Sequence, residues 1–263
     1  PSPPPIAAAD TFHLPLTSVM MAGIIPALFG LILTYFLAKR LINKGSKVTD
    51  KEVIVLETQN LPSFLTALVA PLVAILLLAL RPLFDIKVDP LIALPLGGLI
   101  GALCMGKLRN INSYAINGLS KMTPVAIMLL GTGALAGIIA NSGLKEVLIQ
   151  GLEHSGLPSY ILAPISGVLM SLATASTTAG TAVASNVFSS TLLELGVSSL
   201  AGAAMIHAGA TVFDHMPHGS FFHATGGSVN MDIKERLKLI PYESVVGLMM
   251  TIVSTLIFGV FKF

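Results

Sequence analysis

PSYILAPISGVLMSLATASTTAGTAVASNVFSSTLLEL, residues 158–195, decides how this chain folds. Its flanks are apolar, and its middle is dense with small and hydroxylated side chains. Each flank is short for a membrane crossing, which takes a helix of about 20 apolar residues. Irregular backbone at membrane depth persists only where protein or a water-filled cavity covers it. The stretch therefore reads as a re-entrant hairpin with its tip at Thr174 to Thr181. Two full spans joined by a tight loop are the alternative.

The composition supplies the membrane. Of 263 residues, 54% are hydrophobic and only 11% charged, against about 25% charged in an ordinary soluble domain. Leu61 to Leu80 runs without an ionisable side chain, the length of a bilayer span. A net charge of +2 gives no reason to expect nucleic acid as a partner. The single cysteine, Cys104, excludes a disulfide or a cysteine metal site within the chain and reads as a small buried hydrophobe.

Downstream of the hairpin, Val197 to Phe213 is apolar, and DHMPHGSFFH (214–223) then gathers one acid and three histidines. Pro217 removes a backbone donor and Gly219 permits unusual dihedrals, so a helix broken within 197–228 is expected. A basic link, MDIKERLKLI (231–240), leads to a last span at 241–261. Upstream, spans are expected at Leu14 to Ala38, Leu61 to Leu80, Leu91 to Gly106 and Met122 to Asn141. The Lys39 to Asn60 linker, the loop holding Lys107, Arg109 and Lys121, and the link at Lys234 are rich in bases and belong on the cytoplasmic side. SGLKEVLIQGLEHSG (142–156) belongs outside, its Leu144, Val147, Leu148 and Leu152 forming one helical face. Passing from outside at Glu153 to inside at Lys234 takes an odd number of crossings, which a hairpin plus one broken helix satisfies, as do two spans plus that helix.

The two ends of the chain rhyme. Each has a proline-broken polar stretch, small residues, a short polar link and a long span, and the charge rule orients the two oppositely. That is the sign of an inverted-repeat transporter. Residues 1–38 read as the end of a first repeat that is largely missing, 39–60 as a cytoplasmic linker, and 61–263 as the second repeat. PSPPPIAAAD (1–10) reads as neither a signal peptide nor a stable helix start. The fold class expected is an all-α membrane protein.

These residues resemble the gluconate:proton symporter (GntP) family of bacterial permeases, within a wider ion-transporter superfamily. The resemblance rests on Pro1, Ser2, Pro3, Pro4 and Pro5, on Thr177, Thr178, Ala179 and Gly180, and on the run from Asp214 to Phe221. Pro4 stands where the family has glycine, and Pro217 and His218 stand where it has an Asn-Asp pair. The resemblance implies a multi-pass protein of the bacterial inner membrane that takes up gluconate or a related sugar acid or hydroxy-carboxylate with protons, by alternating access. It implies a small organic acid, the proton and the lipid bilayer as partners, leaves a homo-oligomer open, and calls for no cofactor.

Helix N-termini carry free N–H groups and partial positive charge, and hydroxyls add neutral donors, which suits a carboxylate. The expected substrate site is thus the hairpin tip, Thr174, Ser176, Thr177, Thr178, Gly180 and Thr181, with the break at His218, Gly219 and Ser220; the family resemblance adds Ser2 and Pro4. The alternative reading of the hydroxyls is helix packing within the membrane. Ionisable groups inside a membrane are rarely incidental, so Asp214 and His215 are the residues expected to couple protons. His215, His218 and His223 lack cysteine or acidic partners at ligand spacing, so no metal site is expected, nor is a serine-histidine-acid signature present. Gly133 and Gly137 read as a helix-packing pair. Rival functions are a sodium-coupled carboxylate carrier, a histidine-metal intramembrane enzyme and a non-transporting scaffold.

Overall fold

The computed structural model describes residues 3–42, 44, 61–84, 86, 88–229 and 231–263. Among them regular structure is helical, with no strand. In chain order the helices are α1 (Pro3–Thr11), α2 (Leu16–Ala22), α3 (Ile24–Leu41), α4 (Phe64–Phe84), α5 (Pro90–Cys104), α6 (Ile111–Ala140), α7 (Leu144–Ser155), α8 (Leu162–Thr174), α9 (Thr177–Glu194), α10 (Ser199–Gly209), α11 (Ser220–Ser228), α12 (Ile233–Leu237) and α13 (Ile240–Ser254). A π-helical turn, Thr255–Val260, extends α13. The chain forms two compact units, one of Pro1–Ile54 with Leu129–Phe263 and the other of Val55–Met128.

In the larger unit α8, α9 and α10 pack on one another and supply much of the core, including Leu162, Val183, Phe188, Leu192, Met205 and Ile206. Small residues let these backbones approach closely. A Cβ on Gly167 would strike the carbonyl oxygen of Ile206, and one on Gly209 that of Pro164. A Cβ on Gly180 would lie 2.7 Å from the Ser171 nitrogen. α8 and α9 are joined by Ala175, held left-handed at φ 45°, and by Ser176, whose side chain caps α9 by accepting from the Ala179 N–H at 3.2 Å. At 1.5 Å per residue, the 13 residues of α8 reach about 20 Å, short of a hydrocarbon core of about 30 Å.

Two helical stretches are long and apolar enough to cross a membrane, Leu16–Leu41 and Ile233–Val260. On α3, Leu28, Phe29, Leu31, Ile32, Tyr35 and Phe36 face outward, an apolar surface suited to lipid. With the composition, this makes the chain a membrane protein. The smaller unit packs α4 on α5, where an added Cβ on Gly101 would lie 2.6 Å from that of Ala70. Asp89 caps α5 by accepting from the Leu91 N–H at 2.7 Å.

Several expectations change. The proline-rich start is helical from Pro3, because the first helical N–H groups have no intrahelical acceptor and proline gives up nothing there. Lys121 lies within α6, which starts at Ile111, and not in a loop. Cys104 is exposed, not buried. Gly137 meets nothing within 4 Å, so it does not mark a helix contact, and Asn141 donates to its carbonyl at 2.8 Å. Most of the 39–60 linker lies outside the described residues.

Candidate functional site

α10 stops at Gly209, and its last carbonyls need other donors. The Ala208 oxygen accepts from the Thr211 hydroxyl at 2.7 Å and from the Thr251 hydroxyl of α13 at 3.0 Å. Residues 210–219 then run without regular helix until α11 begins at Ser220. Gly219 fits the break against the α8–α9 turn, since a Cβ there would strike the Ala175 carbonyl oxygen. His218 donates from Nε2 to the Leu172 carbonyl at 3.1 Å and ties the break to α8.

Asp214 joins the break to the start of α9. Its Oδ2 accepts from the Thr177 hydroxyl at 2.5 Å, and its Oδ1 lies 3.1 Å from His215 Nδ1. His215 Nε2 lies 2.9 Å from the Ser244 Oγ of α13. A carboxylate can only accept, so with Asp214 ionised Nδ1 carries a proton, and a neutral His215 accepts from Ser244 through Nε2. The result is a continuous polar line, Thr177–Asp214–His215–Ser244, tying α9, the break and α13. His215 is 2% exposed and Asp214 23%. Both residues line a cavity.

That cavity, about 360 Å³, is lined by Thr211, Asp214, His215, Tyr242 and Glu243 among apolar residues of α3 and α13. Glu243 accepts from Arg236 Nη1 at 2.7 Å. Arg236 is itself buried, donates from Nε to Thr225 at 3.2 Å, and lies 5.0 Å from the Phe222 ring centroid. Ser244, His215 and Asp214 stand in the order of a hydrolase triad. Ser244 is not among the described residues lining the cavity.

Of the residues expected from sequence, Asp214 and His215 line this cavity, while the hydroxyl-rich tip does not. Thr177 touches the cavity's chemistry only through Asp214. Ser176 caps α9, and Thr174 bonds the Met170 carbonyl at 2.7 Å. Thr178 is half-buried, Thr181 is fully buried with no hydrogen-bond partner among the described residues, and Gly180 lies against Ser171. Pro4 is buried on α1, which packs on α9. Ser220 is exposed at the start of α11; Ser2 lies outside the described residues. Among the described residues no group of three histidines, cysteines or acids is placed to hold a metal. Ser244, Glu243, Arg236 and Thr211 were not anticipated. A Glu-Ser pair inside an apolar span was the available signal for the first two.

Fold and site describe a membrane protein with a polar line at a helix break. Residues 66–155 match the model of the Na+-H+ antiporter family, a stretch that ends before the site begins. The whole chain is 98% identical over 263 residues to a Haemophilus influenzae protein described as an "Uncharacterized transporter", of which it covers 63%. It is 23% identical over 291 residues, across 98% of its length, to the high-affinity gluconate transporter of Escherichia coli K12, covering 64% of that protein. The chain thus spans just under two thirds of the length of each of these curated relatives, which are transporters and not enzymes. No solved structure matches it.

Proposed function

We propose that the full-length protein is a multi-pass secondary transporter of the bacterial inner membrane that takes up gluconate, or a related sugar acid or small hydroxy-carboxylate, together with protons. The reading includes an inverted repeat, in which α8 and α9 form a re-entrant hairpin and 197–228 a broken helix of the second half. One observation carries it: the Asp214 carboxylate bonds Thr177, the first residue of α9. A helix N-terminus attracts anions, so Asp214 occupies the position a substrate carboxylate would take. Two carboxylates at one small site repel, and a proton on one relieves the repulsion. Protonating Asp214 therefore frees the α9 N-terminus for the substrate and links the two movements. His215 supplies the proton path, because its Nδ1 lies 3.1 Å from the Asp214 carboxylate.

The test is uptake of labelled gluconate by the full-length protein in proteoliposomes, with and without a pH gradient. Asp214→Asn is expected to bind gluconate with little dependence on pH and to lose gradient-driven accumulation. Accumulation by the wild type that ignores the pH gradient rejects the coupling.

A second reading, cation–proton exchange, is favoured by the cavity having two acids, Asp214 and Glu243, in its wall. Sodium-driven changes in internal pH, without any organic acid present, distinguish it.

A further inference from the structure

A second, smaller pocket lies beside the first. It has a volume of about 100 Å³ and is lined by Val19 and Ala22 of α2, Gly23, Pro26 and Ala27 of α3, Ala204, His207 and Ala208 of α10, Thr211, and Met250 and Ser254 of α13. Thr211 and Met250 also line the large cavity, so these two side chains form a shared wall. The pocket sits where three helices depart from regularity: α2 gives way to α3 at Gly23, α10 ends, and α13 passes into its π-turn after Ser254. Single π-turns recur at functional sites.

Its surroundings are apolar, yet three polar groups reach it. The Ser254 Oγ is buried and has no hydrogen-bond partner among the described residues. Leaving such a hydroxyl unsatisfied costs about 1–3 kcal/mol. Thr211 spends its proton on the Ala208 carbonyl and keeps lone pairs to accept with. Among the described residues lining the pocket, His207 is the only titratable side chain. A water takes roughly 30 Å³ of liquid volume and needs two to four polar partners. Ser254, Thr211 and His207 satisfy both conditions.

We propose that this pocket is a hydrated proton-transfer site in which His207, bridged by water to Ser254 and Thr211, passes protons to or from the cavity holding Asp214 and His215. This rests on the proton-coupled reading above. The step is a transfer between a hydronium and the imidazole: water is released as a ring nitrogen gains the proton, and the reverse returns it. Thr211 is the gate of the path, because it lines both volumes. His207 is here a proton carrier and does not touch the organic acid.

The test uses the full-length protein in proteoliposomes with an internal pH-sensitive dye, gluconate as the driving substrate, and gluconate affinity measured separately. His207→Gln keeps polar atoms but cannot titrate. It is expected to slow gluconate-driven proton entry by about a hundredfold, the low end of what a positioned proton-transfer group contributes, with affinity unchanged. Ala22→Leu fills the pocket from α2 while leaving the histidine in place, and is expected to do the same; it also stands in if the glutamine variant does not fold. Wild-type proton rates in either variant overturn the proposal. So does a matching fall in gluconate affinity, which marks a structural role. If the wild type moves no protons with gluconate, the coupled reading and this site fall together. If the wild type is coupled and the variants equal it, only this site falls.

Discussion

Thr177 and Asp214 are 37 positions apart, and Asp214 and Ser244 30, yet one imidazole and one carboxylate join them in a single line. Each member is explained by what its neighbour lacks. His215 is 2% exposed, so water cannot satisfy its ring nitrogens, and both must find protein partners. Ser244→Ala strands Nε2 in the interior. Loss of a partner to a buried polar group costs about 1–3 kcal/mol, and thermal unfolding in detergent is expected to show that loss. Unchanged stability would place His215 in water. The residue types at 214–220 were readable from sequence as an ionisable cluster beside a proline. That Asp214 would bond the hydroxyl of Thr177, the first residue of α9, was not: the two meet only once the break is folded against the helix.

At the scale of elements, α8, α9 and α10 owe their packing to missing side chains. Gly167 and Gly209 admit carbonyls of the facing helix, whereas Gly137 of α6 faces open space. Overpacking a close contact costs about 1–3 kcal/mol, so Gly167→Ala and Gly209→Ala are expected to lower the unfolding midpoint. Gly137→Ala is expected to raise stability by about 0.5–1 kcal/mol, the helix preference of alanine over glycine. Detergent melting curves of the three variants decide it, and equal destabilisation would mean that Gly137 also meets a helix. All three glycines sit in similar apolar, small-residue sequence. Composition alone could not separate them, because a glycine at a crossing and one on an open face differ only in what lies opposite. The prolines of α1 show the same limit: proline disrupts a helix interior but is accommodated in its first turn.

For the whole molecule, the side of the membrane on which each loop lies is a proposal that rests on counting bases. Cys104 ends α5 and is exposed just before Lys107 and Arg109, which the positive-inside bias places in the cytoplasm. A membrane-impermeant maleimide is expected to label Cys104 in inside-out vesicles and not in right-side-out ones; the reverse result would invert the topology. The sequence by itself determined that the chain is apolar enough for a membrane, that it is helical, and that its polarity gathers around 174–181 and 214–220. Those properties depend on composition and local breakers, which are visible in one dimension. Only the tertiary structure decided which polar residues meet. It joined Thr177 to Asp214, left Thr181 buried in packing, brought Ser244 to His215, and set His207 in a pocket of its own. The reason is physical: a membrane interior gives a polar group no water to turn to, so its partner is whichever donor or acceptor the helix crossings bring within about 3 Å, and crossings are set by side-chain volumes across the whole bundle.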